Sequence, residues 1–213
     1  MEKQLLDTLN TLDIIIFDFD GTLINSEPCH KEAHNVVLRE YLHNPSFSLS
    51  DQDFARYIGK KDPEIFEMYK SDFHVDYDSQ IAITKKLTAS KNMLMQENTQ
   101  IFDYFFEIAQ NKGNKKFYIV SNQMEEFLLD ILNQKGITGY FEKIYCLGSM
   151  KLTKHEFYNN PDKYIPVKYK QVALFEDNNE SLLWGKQNGF VAVGVETEFN
   201  RNKLTNADYI IKY

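Results

Sequence analysis

The feature that most constrains the fold is a short apolar run that ends in two carboxylates and a glycine. Residues 12–17 read Leu-Asp-Ile-Ile-Ile-Phe and are followed by Asp18, Phe19, Asp20 and Gly21. A continuous β-branched run of this length is typical of a parallel strand that helices cover on both faces. Because ligands of such sheets bind beyond the carboxyl ends of the strands, Asp18 and Asp20 are expected to line a binding crevice.

The spacing of Asp18 and Asp20 predicts a metal site. Side chains alternate along an extended chain, so both carboxylates should leave the strand on the same side. Two neighbouring carboxylates repel each other unless a cation or a shared proton holds them together. The arrangement favours Mg²⁺, which takes a few carboxylates and keeps water and phosphate oxygens as its other ligands. A surface turn is the alternative, because Asp and Gly are common turn residues.

The charge and hydropathy of the chain limit its partners. The 213 residues carry 24 Lys and Arg against 31 Asp and Glu, a formal net charge of −7. An acidic chain without a basic block offers no electrostatic surface for nucleic acid or anionic membrane. No stretch approaches the ~18 apolar residues of a membrane span, and no signal peptide is evident before Asp13. Cys29 and Cys146 lack metal-site spacing and suit a reducing cytosol, so we expect a cytoplasmic protein. A monomer or small homo-oligomer is the expected assembly.

The remaining patterns predict a doubly wound α/β core with a helical insertion. Helical periodicity and cap signals predict helices at residues 27–43, near 50–59, from 62 onward and at 78–95, without a strand between them. Afterwards helices alternate with strands at residues 116–121, 144–147, 172–175, 190–195 and 209–211, as in βαβ units with a parallel sheet. We therefore expect a core formed by residues 1–24 and 95–213, and an all-helical domain formed by residues 25–94.

Two later strand ends also carry polar residues. Ser121 and Asn122 follow the second predicted strand and open a helix, whose N-terminus attracts anions such as phosphate. An N-cap serine is the alternative. Glu176 and Asp177 follow the fourth predicted strand, where unpaired carboxylates are unusual because little water reaches them. An acidic N-cap of the next helix is the alternative there.

The Asp-x-Asp-Gly-Thr run resembles the haloacid dehalogenase superfamily, and the polar residues at the other strand ends match its remaining motifs in the same order. The resemblance covers nearly the whole chain and implies a Rossmann-like core with a helical cap domain. It implies that Asp18 is a nucleophile that forms an aspartyl-phosphate, and that Asp20 is the general acid and base. It also implies that Asp18, Asp177 and the Asp20 backbone carbonyl bind Mg²⁺, with Glu176 assisting directly or through water.

The family's phosphate-binding lysine has two candidates in this chain. The usual Lys-Pro pair is absent from the relevant stretch, residues 150–157. Counting back from the acidic strand end, and matching Phe157 to an apolar family position, favours Lys151, whereas counting forward from Phe141 favours Lys154. Thr153 and Glu156 form a predicted capping box, which would leave Lys151 just ahead of the helix. We therefore expect Lys151 to hold the phosphoryl group, with Lys154 as the alternative.

Asp20 favours phosphate chemistry among the reactions of this superfamily, because dehalogenases and phosphonatases usually lack that carboxylate. The resemblance therefore implies a Mg²⁺-dependent phosphatase whose partner is a small phosphorylated metabolite. The first alternative is a sugar-phosphate mutase of the β-phosphoglucomutase type. Such mutases tend to carry a Lys just before the cap glycine and an Arg shortly after it, where this chain has Ile58 and Asp62. The second alternative is a non-catalytic phospho-ligand binding or signalling module. Receiver domains are signalling modules of this kind, but they lack a helical insertion after the first strand.

Three residues of the helical segment are candidates for substrate contacts. His30 corresponds to a family position that often faces the active site, although a lone histidine also suits a packed helix. Arg56 and Lys60 are able to bind an anionic substrate, and a solvated basic loop is the alternative for both.

Overall fold

A parallel sheet forms the centre of the fold in the computed structural model, which describes residues 3–57, 60–96, 100–168 and 170–213. Within these residues its strands are β1 (Ile14–Phe17), β2 (Lys116–Ser121), β3 (Lys143–Cys146), β4 (Val172–Glu176), β5 (Val191–Glu196) and β6 (Tyr209–Lys212). They lie in the order β3-β2-β1-β4-β5-β6, and every neighbouring pair is parallel. The prediction of a doubly wound α/β core is therefore confirmed.

Helices surround these strands and fill the predicted insertion. They are α1 (Lys3–Asn10), α2 (Glu27–Tyr41), α3 (Asp51–Phe54), α4 (Asp62–Phe73), α5 (Ser79–Leu94), α6 (Asp103–Gln110), α7 (Glu125–Gln134), α8 (Leu147–Met150), α9 (Lys154–Asn159) and α10 (Asn179–Gln187). Ser50 caps α3 as expected, accepting the Asp53 N–H at 3.0 Å. That helix ends at Phe54, and its predicted end at Gly59 lies outside the described residues. No helix in the described part of the chain has the length and apolarity to cross a membrane.

The strand that carries the two aspartates is held by apolar packing. Ile16 and Phe17 of β1 have no exposed surface. The Phe17 ring packs edge-on against Phe105 of α6 and Phe117 of β2, with ring centroids 5.7 and 5.5 Å apart. Burying an apolar side chain of this kind contributes about 1.5–3 kcal/mol to folding. Because β1 is fixed in this way, the position of Asp18 at its end is fixed as well.

The chain divides into two compact units. One comprises Met1–Asn25 and Gln100–Tyr213 and contains the sheet, and the other comprises Ser26–Thr99. The predicted helical domain, residues 25–94, is slightly shorter than the second unit. Inside that unit α2 packs against α5. A partly buried ion pair joins α5 to α4, because the Lys86 ammonium lies 3.0 and 3.1 Å from the two carboxylate oxygens of Asp62.

Candidate active site

The strand order reverses beside β1, and this point is where open α/β sheets bind ligands. From β1 the chain proceeds to β2 and β3 on one side, and it returns to β4 on the other side. Asp18 follows β1 directly, and its N–H donates to the Phe175 carbonyl of β4 at 3.0 Å. Glu176 ends β4 and Asp177 follows it. The predicted acidic residues therefore meet at the carboxyl ends of two neighbouring strands.

A buried lysine connects these acids. The Lys154 Nζ atom lies 2.8 Å from Asp18 Oδ1 and forms a second ion pair with Glu176 Oε1. The exposed fractions are 9% for Lys154, 6% for Asp18 and 0% for Glu176. Charged side chains are rarely buried to this extent unless they are paired. The three residues therefore form one buried hydrogen-bonded cluster.

The preferred lysine, Lys151, is not the one that reaches this cluster. The predicted capping box is present, since Thr153 Oγ1 accepts the Glu156 N–H at 3.1 Å and Glu156 Oε2 accepts the Thr153 N–H at 2.7 Å. Thr153 is thus the N-cap of α9, and Lys154 is its first residue. Lys151 instead ends α8 with a left-handed φ of 55° and is exposed. Of the two candidates, Lys154 is therefore the lysine that contacts Asp18 and Glu176.

Burial and charge determine the protonation of the cluster. Burial raises the pKa of Asp18 well above its ordinary value, and the nearby Glu176 acts in the same direction against Lys154. Burial also raises the pKa of Glu176 in spite of Lys154. Burial acts to lower the pKa of Lys154, but Asp18 and Glu176 together raise it, so this side chain stays an ammonium ion. One cation thus faces two carboxylates, and a further cation would relieve the remaining repulsion.

Three carboxylates are suitably placed to bind a metal ion. Asp18, Glu176 and Asp177 each offer an oxygen, and these atoms all lie within 4.8 Å of one another. Hard oxygen donors with an excess of negative charge are what Mg²⁺ prefers, so these residues fit that ion. The Glu176 carboxylate has a further role, because its Oε2 accepts the Asp177 N–H at 3.0 Å while its Oε1 holds Lys154.

Asp177 is not the N-cap of helix α10, which was the alternative role predicted for the acidic pair. Helix α10 is capped by Asn178, whose Oδ1 accepts the N–H groups of Glu180 and Ser181 at 3.0 and 3.1 Å. Asn200 Nδ2 donates to the Asp177 carbonyl at 3.0 Å and fixes the backbone there. Asn200 was not predicted, because a loop asparagine after β5 carries no motif that connects it to β4.

Gly21 allows the loop after β1 to approach Asp177. Its φ of +66° lies in the left-handed region, which glycine adopts at little cost. A Cβ atom added at Gly21 would lie 2.5 Å from Asp177 Oδ2. Both the backbone conformation and the close contact therefore require glycine at this position.

The loop after β2 contacts Asp20. Ser121 is buried, and its Oγ accepts the Gln123 N–H at 3.2 Å, whereas Asn122 is exposed. Gln123 Nε2 donates to Asp20 Oδ2 at 2.6 Å. Gln123 was not predicted as a site residue. The one sequence signal for Gln123 is its position two residues after Ser121, which ends the strand next to β1.

The three candidates for substrate contacts all lie in the helical unit. His30 Nδ1 lies 2.9 Å from a serine hydroxyl of α5. Arg56 forms an ion pair with Asp72 at 3.2 Å, and Lys60 forms one with Glu64. Each of these two cations thus already has an acidic partner within its own unit.

Comparisons with known proteins agree with this architecture. A family model described as haloacid dehalogenase-like hydrolase matches residues 15–195. A phosphoglycolate phosphatase of Aquifex aeolicus (strain VF5) is 27% identical over 137 residues, which are 62% of this chain and 59% of that relative. The chain thus spans about three fifths of the length of this curated relative.

Solved structures show the same fold. A protein of Thermotoga maritima provisionally assigned as a β-phosphoglucomutase has a TM-score of 0.72 at 18% identity, covering 94% of each chain. CbbY from Rhodobacter sphaeroides in complex with phosphate has a TM-score of 0.75 at 13% identity, covering 94% of this chain and 93% of that one.

Proposed function

The chain belongs to the haloacid dehalogenase-like hydrolase family, and on that premise we propose that it is a Mg²⁺-dependent phosphatase acting through an aspartyl-phosphate. The proposed substrate is a small phosphorylated metabolite. The observation that carries this proposal is the buried cluster of Asp18, Lys154 and Glu176, with an Asp177 oxygen within 4.8 Å of the first and last of them. A nucleophilic carboxylate, a cation and metal-binding oxygens meet there at the carboxyl ends of β1 and β4.

In the proposed reaction Asp18 attacks the phosphorus atom, and the ester bond to the leaving oxygen breaks. Asp20 gives its proton to that oxygen, so an alcohol leaves and Asp18 carries the phosphoryl group. The Asp20 carboxylate then takes a proton from a water molecule as this water attacks phosphorus. Inorganic phosphate leaves, and both aspartates return to their starting forms.

Lys154 is the proposed counter-charge for the phosphoryl oxygens. Because Asp18 and Glu176 already hold its ammonium group, little reorganisation is needed when negative charge develops in the transition state. The Ser121 hydroxyl and the Asn122 backbone N–H are proposed as further donors to phosphate, ahead of α7. The same helix N-terminus favours an anion.

We propose that Asp18, Asp177 and the Asp20 backbone carbonyl bind the Mg²⁺ ion, with Glu176 assisting directly or through water. When bound, Mg²⁺ would neutralise phosphoryl oxygens and reduce their repulsion with the nucleophile. The cluster of oxygen donors in Asp18, Glu176 and Asp177 supports this assignment.

We expect Gly21→Ala to weaken Mg²⁺ binding by about 10- to 100-fold, the range seen when groups that support metal ligands are changed. The added methyl group would displace the Asp177 carboxylate, from which its ideal position is 2.5 Å away. Gly136→Ala is the matched control, because it has a φ of +69° and nothing within 4 Å of the added Cβ. Calorimetric titration with MgCl₂ measures both affinities, and an equal loss in the two variants would contradict the explanation.

One observation in the helical unit favours hydrolysis over the mutase alternative. Asp62 stands where mutases of the β-phosphoglucomutase type tend to carry Arg, and it is paired with Lys86 at 3.0 Å. A carboxylate there would repel the second phosphate of a sugar bisphosphate instead of binding it. Ile58, the other distinguishing position, lies outside the described residues.

We further propose that Ser26–Thr99 acts as a cap that excludes water during the reaction. His30, Arg56 and Lys60 are the proposed substrate contacts within it. Because Arg56 and Lys60 are already paired with Asp72 and Glu64, binding of an anionic substrate would exchange these partners.

The proposed function is tested by phosphate release from 4-nitrophenyl phosphate and from a panel of phosphorylated metabolites. We expect turnover that rises with MgCl₂, falls to background in EDTA and returns when MgCl₂ is added in excess. Turnover that is insensitive to EDTA would contradict the role of the metal. Absence of turnover of every compound in the presence of Mg²⁺ would contradict the proposed phosphatase activity.

A further inference from the structure

We propose that Gln123 is a positioning residue that orients Asp20 for proton transfer to the leaving group. This inference rests on the proposed function, in which Asp20 is the general acid. Gln123 Nε2 lies 2.6 Å from Asp20 Oδ2. Asp20 Oδ2 accepts this N–H whether the carboxyl group is ionised or carries its proton on Oδ1.

Gln123 is able to orient Asp20 because its own loop is held at both ends. On the β2 side, the Gln123 N–H donates to the buried Ser121 Oγ at 3.2 Å. On the α7 side, the Glu125 N–H donates to Ser149 Oγ at 2.8 Å, which ties the start of α7 to α8. The side chain of Gln123 therefore extends from a fixed backbone.

Helix α8 also supports this loop by direct contact at Gly148. A Cβ added to Gly148 would lie 2.7 Å from the Asn122 carbonyl oxygen and 3.1 Å from the Gln123 carbonyl oxygen. Contacts this short with backbone atoms leave room for glycine alone. The backbone of α8 thus packs against the loop, and the loop positions the Gln123 amide against Asp20.

The hydrogen bond has a specific chemical consequence. It limits the rotation of the Asp20 carboxyl group and, because Oδ2 faces an N–H donor, it directs an acidic proton to Oδ1. Proton donation matters most when the leaving group is basic. Phenolate, whose conjugate acid has a pKa of about 10 like that of tyrosine, needs this proton. The much less basic 2,4-dinitrophenolate leaves without being protonated.

The test compares phenyl phosphate with 2,4-dinitrophenyl phosphate in Gln123→Met, which keeps the length of the side chain and removes its donor. We expect kcat/KM for phenyl phosphate to fall by about 10- to 100-fold, and kcat/KM for the dinitrophenyl ester to change by less than about threefold, because kcat/KM reports the attack of Asp18 and not the later hydrolysis step that both esters share. Gln123→Leu, which also removes the donor, should show the same selective loss.

Gln134→Met makes the same substitution at the exposed end of α7 and should retain both activities. Thermal denaturation of each variant shows whether the fold is retained. Equal losses on both esters, or no loss on either, in a folded Gln123→Met would overturn the positioning role while leaving the proposed function intact. Absence of Mg²⁺-dependent turnover in the wild type would overturn the proposed function and this inference with it.

Discussion

Asp18→Asn is expected to lower turnover by about 10⁴-fold or more, as loss of a covalent nucleophile does in other enzymes. The asparagine amide keeps the shape of the side chain but is a very poor nucleophile, and it also removes one metal-binding oxygen. Initial rates of phosphate release at saturating MgCl₂ measure the effect. Acid-quenched wild type should carry a phosphoryl adduct in its intact mass, and the variant should not.

The matched control for this experiment is Asp13→Asn. Asp13 precedes the same strand, and it is paired with Lys170 at 3.9 Å, away from the cluster. Lys154 keeps Glu176 as a partner in Asp18→Asn, so the fold should be retained. Substantial turnover by a folded Asp18→Asn, or an adduct on it, would exclude the proposed covalent route through Asp18.

Lys154→Met is expected to lower turnover by about 10³-fold, at the upper end for removal of one group that stabilises transition-state charge. The substitution removes the ammonium group that we propose as the counter-charge for the phosphoryl oxygens, and it leaves Asp18 and Glu176 to repel each other. Lys151→Met makes the same change three residues away at an exposed position, and it should stay within about twofold of wild type. Phosphate release by the two variants distinguishes the lysines directly.

A second variant allows for instability of Lys154→Met, since removing one partner of a buried ion pair is strongly destabilising. Lys154→Arg keeps the charge but has a planar guanidinium group that does not reproduce the contacts of an ammonium ion. It should therefore fold and still lose at least about tenfold in rate. Full activity in Lys154→Arg and Lys154→Met, or a larger loss in Lys151→Met, would contradict the assignment.

Elements of the core were predictable because burial leaves a direct trace in the sequence. The strand at Lys116–Ser121 and the helix at Glu125–Gln134 have the predicted limits, since an apolar run and a helical period each end at polar residues. The order of the strands did not follow from these patterns. A run such as Val172–Glu176 shows that it is buried but not on which side of β1 it lies.

The choice between Lys151 and Lys154 shows where sequence reasoning is limited. The capping box at Thr153 was predicted, and it makes Lys154 the first helical residue, so the lysine that reaches Asp18 lies inside the helix and Lys151 lies ahead of it. Which lysine meets Asp18 depends on the path of the chain from β3 to α9, and counting residues does not give that path. Gln123 was missed for the same reason, because its contact with Asp20 exists only in three dimensions.

The interruption of the core after β1 affects the order of events during synthesis. Ile14 pairs with Lys116 on one side and with Val172 on the other, so β1 emerges from the ribosome long before either partner. Ser26–Thr99 is contiguous and is able to complete its own packing in the interval. Asn25 N–H donates to the Gln100 carbonyl at 3.1 Å, so a folded insertion shortens the loop that β1 must close. Until residues 116–121 have emerged, the strand that ends in Asp18 has no strand partner, and it lacks its second partner until residue 176 has emerged, so nascent chains should depend most on chaperones in that window.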